Sequence, residues 1–302
     1  MFISVIIPSY NSKTTIVRCL DSLKNQNTDV AYEIIVVDSS TDNTPKIIER
    51  LFPTVTLIRR EKKTFPGQAR NIGIQKSGGD ILAFTDADCT VESNWLSNIV
   101  RAHEADFAVI CGSVHNGYPD NMVSWAEFFS VSSEFLQNSP RRCVTFGDTC
   151  NLSCKREVFQ HCGLFPNTIR AEDVIFSRQV LENGYQILFQ PSIAVHHFYR
   201  TQLKGLVRRE IWTGRAFAQI SRHYQMKGSR IYKNRFFCLI YPFAKLLFVF
   251  YRVIRWDRGL FRDLLCAFPF LVTLVFATTF GLLTTKLSHQ RDTFYKIWPK
   301  EK

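Results

Sequence analysis

Two carboxylates stand one residue apart at the end of an apolar run, Ile81-Leu82-Ala83-Phe84-Thr85-Asp86-Ala87-Asp88. Alternate side chains of extended chain share a face, so positions 86 and 88 are expected to point the same way. Like charges this close repel, and one is driven neutral unless a cation lies between them. Carboxylate oxygens suit Mg2+ or Mn2+, and Mg2+ commonly takes one or two of them together with substrate phosphate oxygens. The plain alternative is that both aspartates end a strand ahead of a helix capped by Thr90.

Other polar groups stand at comparable positions. Glu172-Asp173 opens a helix-like stretch, Asp173–Asn183, that Gly184 ends. Acids are favoured at helix N-termini by the dipole alone, so this pair needs no chemistry to explain it. His196-His197 ends a strand-like run after Pro191, and Arg70 lies on a helix that begins near Pro66. Asp38-Ser39-Ser40-Thr41-Asp42-Asn43 follows an apolar run and is good turn chemistry as well as a cluster of acceptors.

The elements that must position these groups are legible as alternation. Phe2–Pro8, Glu33–Asp38, Val55–Arg59, Ile81–Thr85 and Phe107–Cys111 read as strands; Thr14–Gln26, Thr44–Phe52, Pro66–Lys76 and Glu92–Ala102 read as helices between them. Val5-Ile6-Ile7 and Ile34-Ile35-Val36-Val37 lack polar alternation, as strands covered on both faces do. The β-α-β-α order predicts an α/β fold with a mostly parallel sheet covered by helices. Such sheets bind ligands outside the carboxyl ends of their strands, and Pro8–Asn11, Asp38–Asn43 and Asp86–Asp88 all fall at such ends. Phe2–Pro8 already reads as a strand rather than a secretory leader. The nine cysteines include no Cys-x-x-Cys, and Cys150, Cys154 and Cys162 lack the paired spacing and His partners of a zinc module. They are expected to be buried, reduced thiols of a cytosolic setting.

Taken in order, Ser4-Val5-Ile6-Ile7-Pro8-Ser9-Tyr10-Asn11, Val36-Val37-Asp38-Ser39-Ser40-Thr41-Asp42, Ala69-Arg70-Asn71-Ile72-Gly73 and Asp86-Ala87-Asp88 resemble the family 2 glycosyltransferases of GT-A fold. Gly147-Asp148-Thr149-Cys150-Asn151-Leu152, Lys155-Arg156, Gly163-Leu164-Phe165, Glu172-Asp173, Asn183-Gly184-Tyr185 and Val195-His196-His197 continue it in the family's order and spacing, to about residue 215. The resemblance implies a Rossmann-like sheet that binds a nucleotide-sugar, in many relatives a UDP-sugar. Pro8, Tyr10 and Asn11 would line the base, Asp38 would accept a hydrogen bond from it, and Arg70 would contact the diphosphate. Asp88 would be the principal ligand of Mg2+ or Mn2+, Asp86 would be shared between metal and ribose or sugar, and His196, in preference to His197, would complete the shell. Asp173, seconded by Glu172, would take the proton from the acceptor hydroxyl in a displacement that inverts the anomeric carbon. Gly147, Asp148 and Asn151 would form a loop beside the base, with His197 and Arg209 as further contacts for acceptor or diphosphate. Trp125, Phe128 and Phe129 would line a groove or, the preferred reading, pack a helix on the sheet.

The charge divides the chain. Residues 1–200 carry 19 Lys and Arg against 21 Asp and Glu, and residues 201–302 carry 19 against 5, within a net charge of +12. A basic tail suits nucleic acid or anionic lipid. The near-neutral front and the lack of a base-reading motif argue against nucleic acid. An amphipathic helix is expected over Thr201–Arg222. Leu264–Thr285 is an uncharged run of 22 residues, where about 20 suffice to span a bilayer. Phe236–Tyr251 is shorter and holds Pro242 and Lys245, so it would span with Lys245 snorkelling or lie in the interface. A pair of core helices in a soluble protein is the alternative. Clusters at Lys227/Arg230/Lys233/Arg235, Arg252/Arg255/Arg258/Arg262 and Lys286/Arg291/Lys296 flank both runs, and a re-entrant or interfacial hairpin keeps all three on the cytoplasmic side.

The expected organisation is a catalytic unit over residues 1–225, with a nucleotide-sugar half (1–112) and an acceptor half (113–200), and a basic, apolar, membrane-associated helical tail over 226–302. The expected activity is metal-dependent inverting transfer of a sugar to a lipid-linked or polysaccharide acceptor at the cytoplasmic face of the cell membrane. A polyprenyl-phosphate sugar synthase differs only in its acceptor. A catalytically idle sugar-nucleotide-binding scaffold is disfavoured because both acidic points are present. The Gln-x-x-Arg-Trp signature of processive synthases is absent from the sequence, which favours single transfers.

Overall fold

The computed structural model describes residues 1–223 and 235–285. The basic residues Lys227, Arg230 and Lys233, and Lys286, Arg291 and Lys296, lie outside the described residues. Strands β1 (Ile3–Ser9), β2 (Tyr32–Asp38), β3 (Thr56–Arg59) and β4 (Ile81–Phe84) alternate with helices α1 (Ile16–Lys24), α2 (Thr44–Leu51) and α3 (Pro66–Lys76). They form the parallel order β3-β2-β1-β4. Ile3, Val5, Ile6 and Ile7 of β1 are all fully buried. Each such side chain contributes roughly 1.5–3 kcal/mol, which is why β1 takes the centre. The strand order reverses between β1 and β4, so a crevice opens at their carboxyl ends, where residues 9–11 and 86–88 emerge.

Beyond β4 the sheet becomes mixed. β5 (Cys89–Val91), α4 (Trp95–His103), β6 (Val109–Asn116), α5 (Met122–Ser132), β7 (Arg142–Val144), β8 (Leu152–Lys155), α6 (Glu157–Cys162), α7 (Glu172–Glu182) and β9 (Ile187–His197) complete the catalytic half. β8 runs antiparallel to both β4 and β6, and β9 lies parallel to β6 and antiparallel to β5 and β7. Thr90, read as a helix cap, is in β5 instead, because a turn at Ala87–Asp88 sends the chain back as a strand.

The pairing of β6 with β9 is interrupted. Gly112 faces Gln190 and Ser113 faces Ala194, so Pro191–Ile193 bulge out. Proline has no N–H for a ladder, and a bulge re-aims the residues beyond it. Asn151 staples the bulge: its Nδ2 donates to Ser113 O and Ile193 O, both at 2.8 Å, and its Oδ1 accepts from Trp95 Nε1 at 2.9 Å. A side chain at Gly112 would collide with the Ile193 carbonyl and with Asn151. The second half of β9 is thereby turned onto β5, beside Asp88.

Three long helices come next: α8 (Leu203–His223), α9 (Arg235–Trp256) and α10 (Phe261–Thr284). The segments Phe237–Trp256 and Arg258–Thr284 are long and apolar enough to cross a membrane by length and composition. Phe243 meets Phe276 and Phe250 meets Phe268, contacts that run in opposite chain directions, so α9 and α10 form an antiparallel hairpin. α10 does not stand apart from the catalytic unit as the boundary at residue 225 suggests. It packs on α5 and α8, and Leu264, Ala267, Leu271, Leu274 and Val275 belong to the core cluster that contains the sheet. Trp125, Phe128 and Phe129 of α5 are buried, as the packing reading expects. The outer face of the hairpin stays bare: Phe243 is 60% exposed, Leu247 71% and Phe248 60%.

The α8–α10 contact depends on two glycines. A Cβ on Gly214 would overlap the Thr278 carbonyl oxygen, and one on Gly281 would overlap the Ile211 carbonyl oxygen. Small residues permit such close backbone approach. Gly205, elsewhere on α8, has nothing within 4 Å of its Cβ position. Gly281→Val is therefore expected to lower stability by about 1–3 kcal/mol or more. Gly205→Ala is expected to be neutral or stabilising by up to about 1 kcal/mol, and thermal unfolding of both proteins in detergent is the check.

Candidate active site

The first carboxylate, Asp86, lies just beyond β4 and is held by Arg70. From α3, Arg70 Nη2 donates to Asp86 Oδ1 at 2.7 Å and Nη1 donates to Glu172 Oε1 at 2.8 Å. Arg70 is only 2% exposed. The resemblance offers this guanidinium to a diphosphate; in the structure it bridges two carboxylates that lie far apart in sequence. Glu172 is buried in the same contact. A buried charge needs such pairing, and the planar guanidinium serves two acceptors at once.

Asp173, the residue after Glu172, is half-buried, and its Oδ1 accepts from Val174 N at 2.8 Å. α7 begins at Glu172, preceded by Ala171 at φ 59°. An alanine in the left-handed region costs on the order of 1–3 kcal/mol and is held only when its surroundings over-determine it. Glu172 locked on Arg70 supplies that constraint. Burial pushes the Asp173 carboxyl well above the ordinary aspartate range, and Glu172 and Asp148 push further; the Val174 N–H and Arg70 oppose them. Asp148, whose Oδ1 accepts from Cys150 N at 3.1 Å, is raised by burial and by Asp86. The loop residue Asp148 therefore belongs to the acidic cluster, whereas Asn151 is consumed in the β-bulge. Gly147 is buried and donates its N–H to Ser177 Oγ at 3.1 Å.

The second carboxylate, Asp88, has a different nearest partner from Asp86. The structure turns at residues 87–88, so the two do not share one strand face as their spacing predicts. Asp88 Oδ1 lies 3.7 Å from His197 Nε2. Register explains which histidine arrives. Cys89 pairs directly with His197 and Thr90 with His196, and paired residues share a face while neighbours alternate. His196, the expected ligand, thus faces away, with Nε2 2.8 Å from Glu92 Oε1 and its ring 4.8 Å from that of His115. His197 takes its place beside the acids. Burial disfavours its charged ring, yet Cys89, Asp88, Asp86 and Asp148 outweigh that and raise it to about 9.

This field suits a cation. Among the described residues, five acids, Asp86, Asp88, Asp148, Glu172 and Asp173, meet three positive partners, Arg70, His197 and Arg170. Donor atoms of Asp88, Cys89 and His197 all lie within 4.8 Å of one another, and His197 Nδ1 is buried with no hydrogen-bond partner. The residues fit a divalent ion, with Asp88 and His197 as its nearest holders.

The residues that the resemblance assigns to the base lie at the carboxyl ends of β1 and β2. Asp38 is fully buried, accepting from Ser40 Oγ at 2.6 Å and Ser40 N at 3.2 Å, with Arg59 at 3.8 Å. Asn11 sits at φ 53°, a region asparagine tolerates, and its Oδ1 accepts from Thr41 N at 2.9 Å. Tyr10 lies under Lys63 Nζ at 4.1 Å, and Pro8 pairs with Val37, one step before the β1–β2 ladder ends at Ser9 and Asp38. Pro8, Tyr10, Asn11 and Asp38 are therefore assembled on one rim. Arg209 is not: it pairs with buried Glu127 of α5, whose other oxygen accepts from Arg200 N at 2.9 Å. Arg70→Met leaves Asp86 and Glu172 without their shared cation, and denaturant unfolding should register a loss of about 3–5 kcal/mol. Arg70→Lys should recover only part of it, because one ammonium cannot reproduce the fork.

Comparison with known proteins agrees with this geometry. Residues 4–163, more than half of the chain, match the model of the glycosyl transferase family 2. Glycosyltransferase AglE of Haloferax volcanii is 29% identical over 227 residues, 72% of this chain and 74% of its own. A dolichyl N-acetyl-alpha-D-glucosaminyl phosphate 3-beta-D-2,3-diacetamido-2,3-dideoxy-beta-D-glucuronosyltransferase of Methanococcus voltae is 25% identical over 274 residues, 81% and 79%. In fold, the mannosyltransferase PcManGT of Pyrobaculum calidifontis, solved with GDP-Man and Mn2+, superposes with a TM-score of 0.62 at 20% identity, covering 93% of this chain and 87% of that one. S. aureus TarS 1-349 in complex with UDP gives 0.53 at 18% identity, covering 92% and 91%. With a GT-A sheet, its crevice and its acidic cluster accounted for, the chain belongs to glycosyl transferase family 2.

Proposed function

We propose that this glycosyltransferase moves a sugar, with inversion, from a nucleotide-sugar to a hydroxyl of a lipid-linked or polysaccharide acceptor at the cytoplasmic face of a membrane. The observation that carries the reading is the Arg70 bridge, which joins Asp86 at the donor rim to Glu172, the neighbour of Asp173. Donor and acceptor chemistry then share one cleft. A UDP-sugar is the preferred donor: Asp38 is a fixed acceptor at the base end of the crevice, and TarS, of the same fold, is known with UDP.

In this reading Pro8, Tyr10, Asn11 and Asp38 hold the nucleotide. Asp88 and His197, with Asp86 adjacent, would hold Mg2+ or Mn2+ against the diphosphate. The ion supplies neutralisation of the charge that grows on the departing nucleotide. Asp173 accepts the proton of the attacking hydroxyl. Its raised affinity for protons makes it a stronger base than an ordinary carboxylate, and the Ala171–Glu172–Arg70 contacts hold it in line.

The α9–α10 hairpin supplies the membrane surface. Phe243, Leu247, Phe248 and Tyr251 present a bare apolar face, while the inner face of α10 joins the enzyme core. A lipid-linked acceptor fits that arrangement, and the Methanococcus relative is named for a dolichyl-linked one. A hairpin that lies in the interface or re-enters rather than spanning would keep the basic flanks on one side of the bilayer.

Asp173→Asn should still bind UDP in calorimetry yet lose turnover by about 10²–10⁴-fold; near-normal turnover would remove Asp173 from the mechanism. A base must be unprotonated, so the rate falls as pH drops. Because the Asp173 carboxyl is raised, the acid limb of the kcat/KM profile should lie above the ordinary aspartate range. For the membrane reading, Leu247→Asp combined with Phe248→Asp should shift the protein from vesicle-bound to soluble in a flotation assay, and unchanged flotation would argue against the hairpin as anchor.

A further inference from the structure

A thiol stands where a hard-ion site would have only oxygen and nitrogen. Cys89 follows Asp88 directly and is completely buried. Cross-strand pairing with His197 puts its side chain on the same face as the imidazole. Its Sγ, a His197 ring nitrogen and an Asp88 oxygen form one group with mutual separations within 4.8 Å. His197 Nδ1 is buried and has no partner in the protein. The Cys89 thiol also contacts the buried Cys150 thiol, and Cys19 donates to the Asp86 carbonyl at 3.5 Å, so sulfur lines the underside of the acidic turn.

Oxygen-only surroundings select Mg2+ and Mn2+, whereas a thiolate, an imidazole and a carboxylate select a softer ion. Three protein donors that leave a fourth position for water or substrate are the donor set of catalytic zinc sites. We propose that Cys89 is a metal ligand, and that Asp88, Cys89 and His197 form a mixed oxygen–sulfur–nitrogen site that prefers Zn2+ or Co2+ to Mg2+. Coordination deprotonates Cys89, and the thiol proton leaves to solvent. This rests on the proposed binding of a divalent ion at Asp88 and His197, and replaces the Mg2+ or Mn2+ named there with a softer ion as the preferred one.

Cobalt makes the claim visible. Purified full-length protein in detergent, under reducing conditions, is titrated with Co2+ in the presence of UDP and followed by absorbance. A near-ultraviolet thiolate-to-cobalt charge-transfer band should grow to one equivalent and be displaced by Zn2+ but not by equimolar Mg2+. Cys89→Ser should abolish the band and weaken Co2+ binding by at least about tenfold, the smallest loss expected even for an outer partner of a ligand. His197→Gln should weaken binding comparably while Cys89 is intact. The wild-type spectrum alone decides the matter if the serine variant folds poorly. Co2+ bound without the thiolate band, or a band that survives in Cys89→Ser, overturns the assignment of Cys89. Mn2+ relaxation measurements with UDP separate the two failures: Mn2+ binding without a cobalt–thiolate band sinks this inference alone, and absence of both ions' binding sinks the metal part of the proposed function as well.

Discussion

One buried guanidinium sets the geometry of this enzyme. Arg70 is removed from water and can stay charged there only because Asp86 and Glu172 each accept from it. The two acids lie far apart in sequence and belong to different halves of the sheet. Joining them forces the donor rim and the start of α7 into one cleft. The strained backbone at Ala171 stands directly before Glu172, whose bridge to Arg70 helps to hold it.

The same economy of position appears at the metal corner. A bulge at Gly112 and Pro191–Ile193, pinned by Asn151, decides the register of the last residues of β9. A shift of one residue would exchange His197 for His196, because side chains alternate along a strand. Asn151 therefore influences the site without facing it. Its interior position also explains why a polar residue within a family motif is not always a ligand: here it satisfies two carbonyls that the bulge leaves open.

The C-terminal helices are continuous with this machinery. α10 lends one face to the enzyme core and closes on α8 through Gly214 and Gly281, while α9 offers large apolar side chains to the outside. α8 in turn carries Arg209 onto Glu127, beside the chain leaving His197. The apolar surface and the acidic cleft are thus built on one packed body.

Much of this was legible in the residues. Unbroken apolar runs such as Val5-Ile6-Ile7 announce strands buried on both faces, and alternation with helical segments requires parallel order. The polar clusters at strand ends mark the rim, and the length of Leu264–Thr285 marks an apolar helix. What the sequence determined, then, was the sheet, its crevice and the residue types gathered there. Tertiary structure alone decided which of them meet: Arg70 with two acids, His197 rather than His196 beside Asp88, Asn151 and Arg209 in contacts of the scaffold, Cys89 beside His197. The physical reason is that periodicity is a local property, written by each residue's own neighbours. Partnerships across the sheet depend on turns, a bulge and helix packing, whose register no single segment specifies.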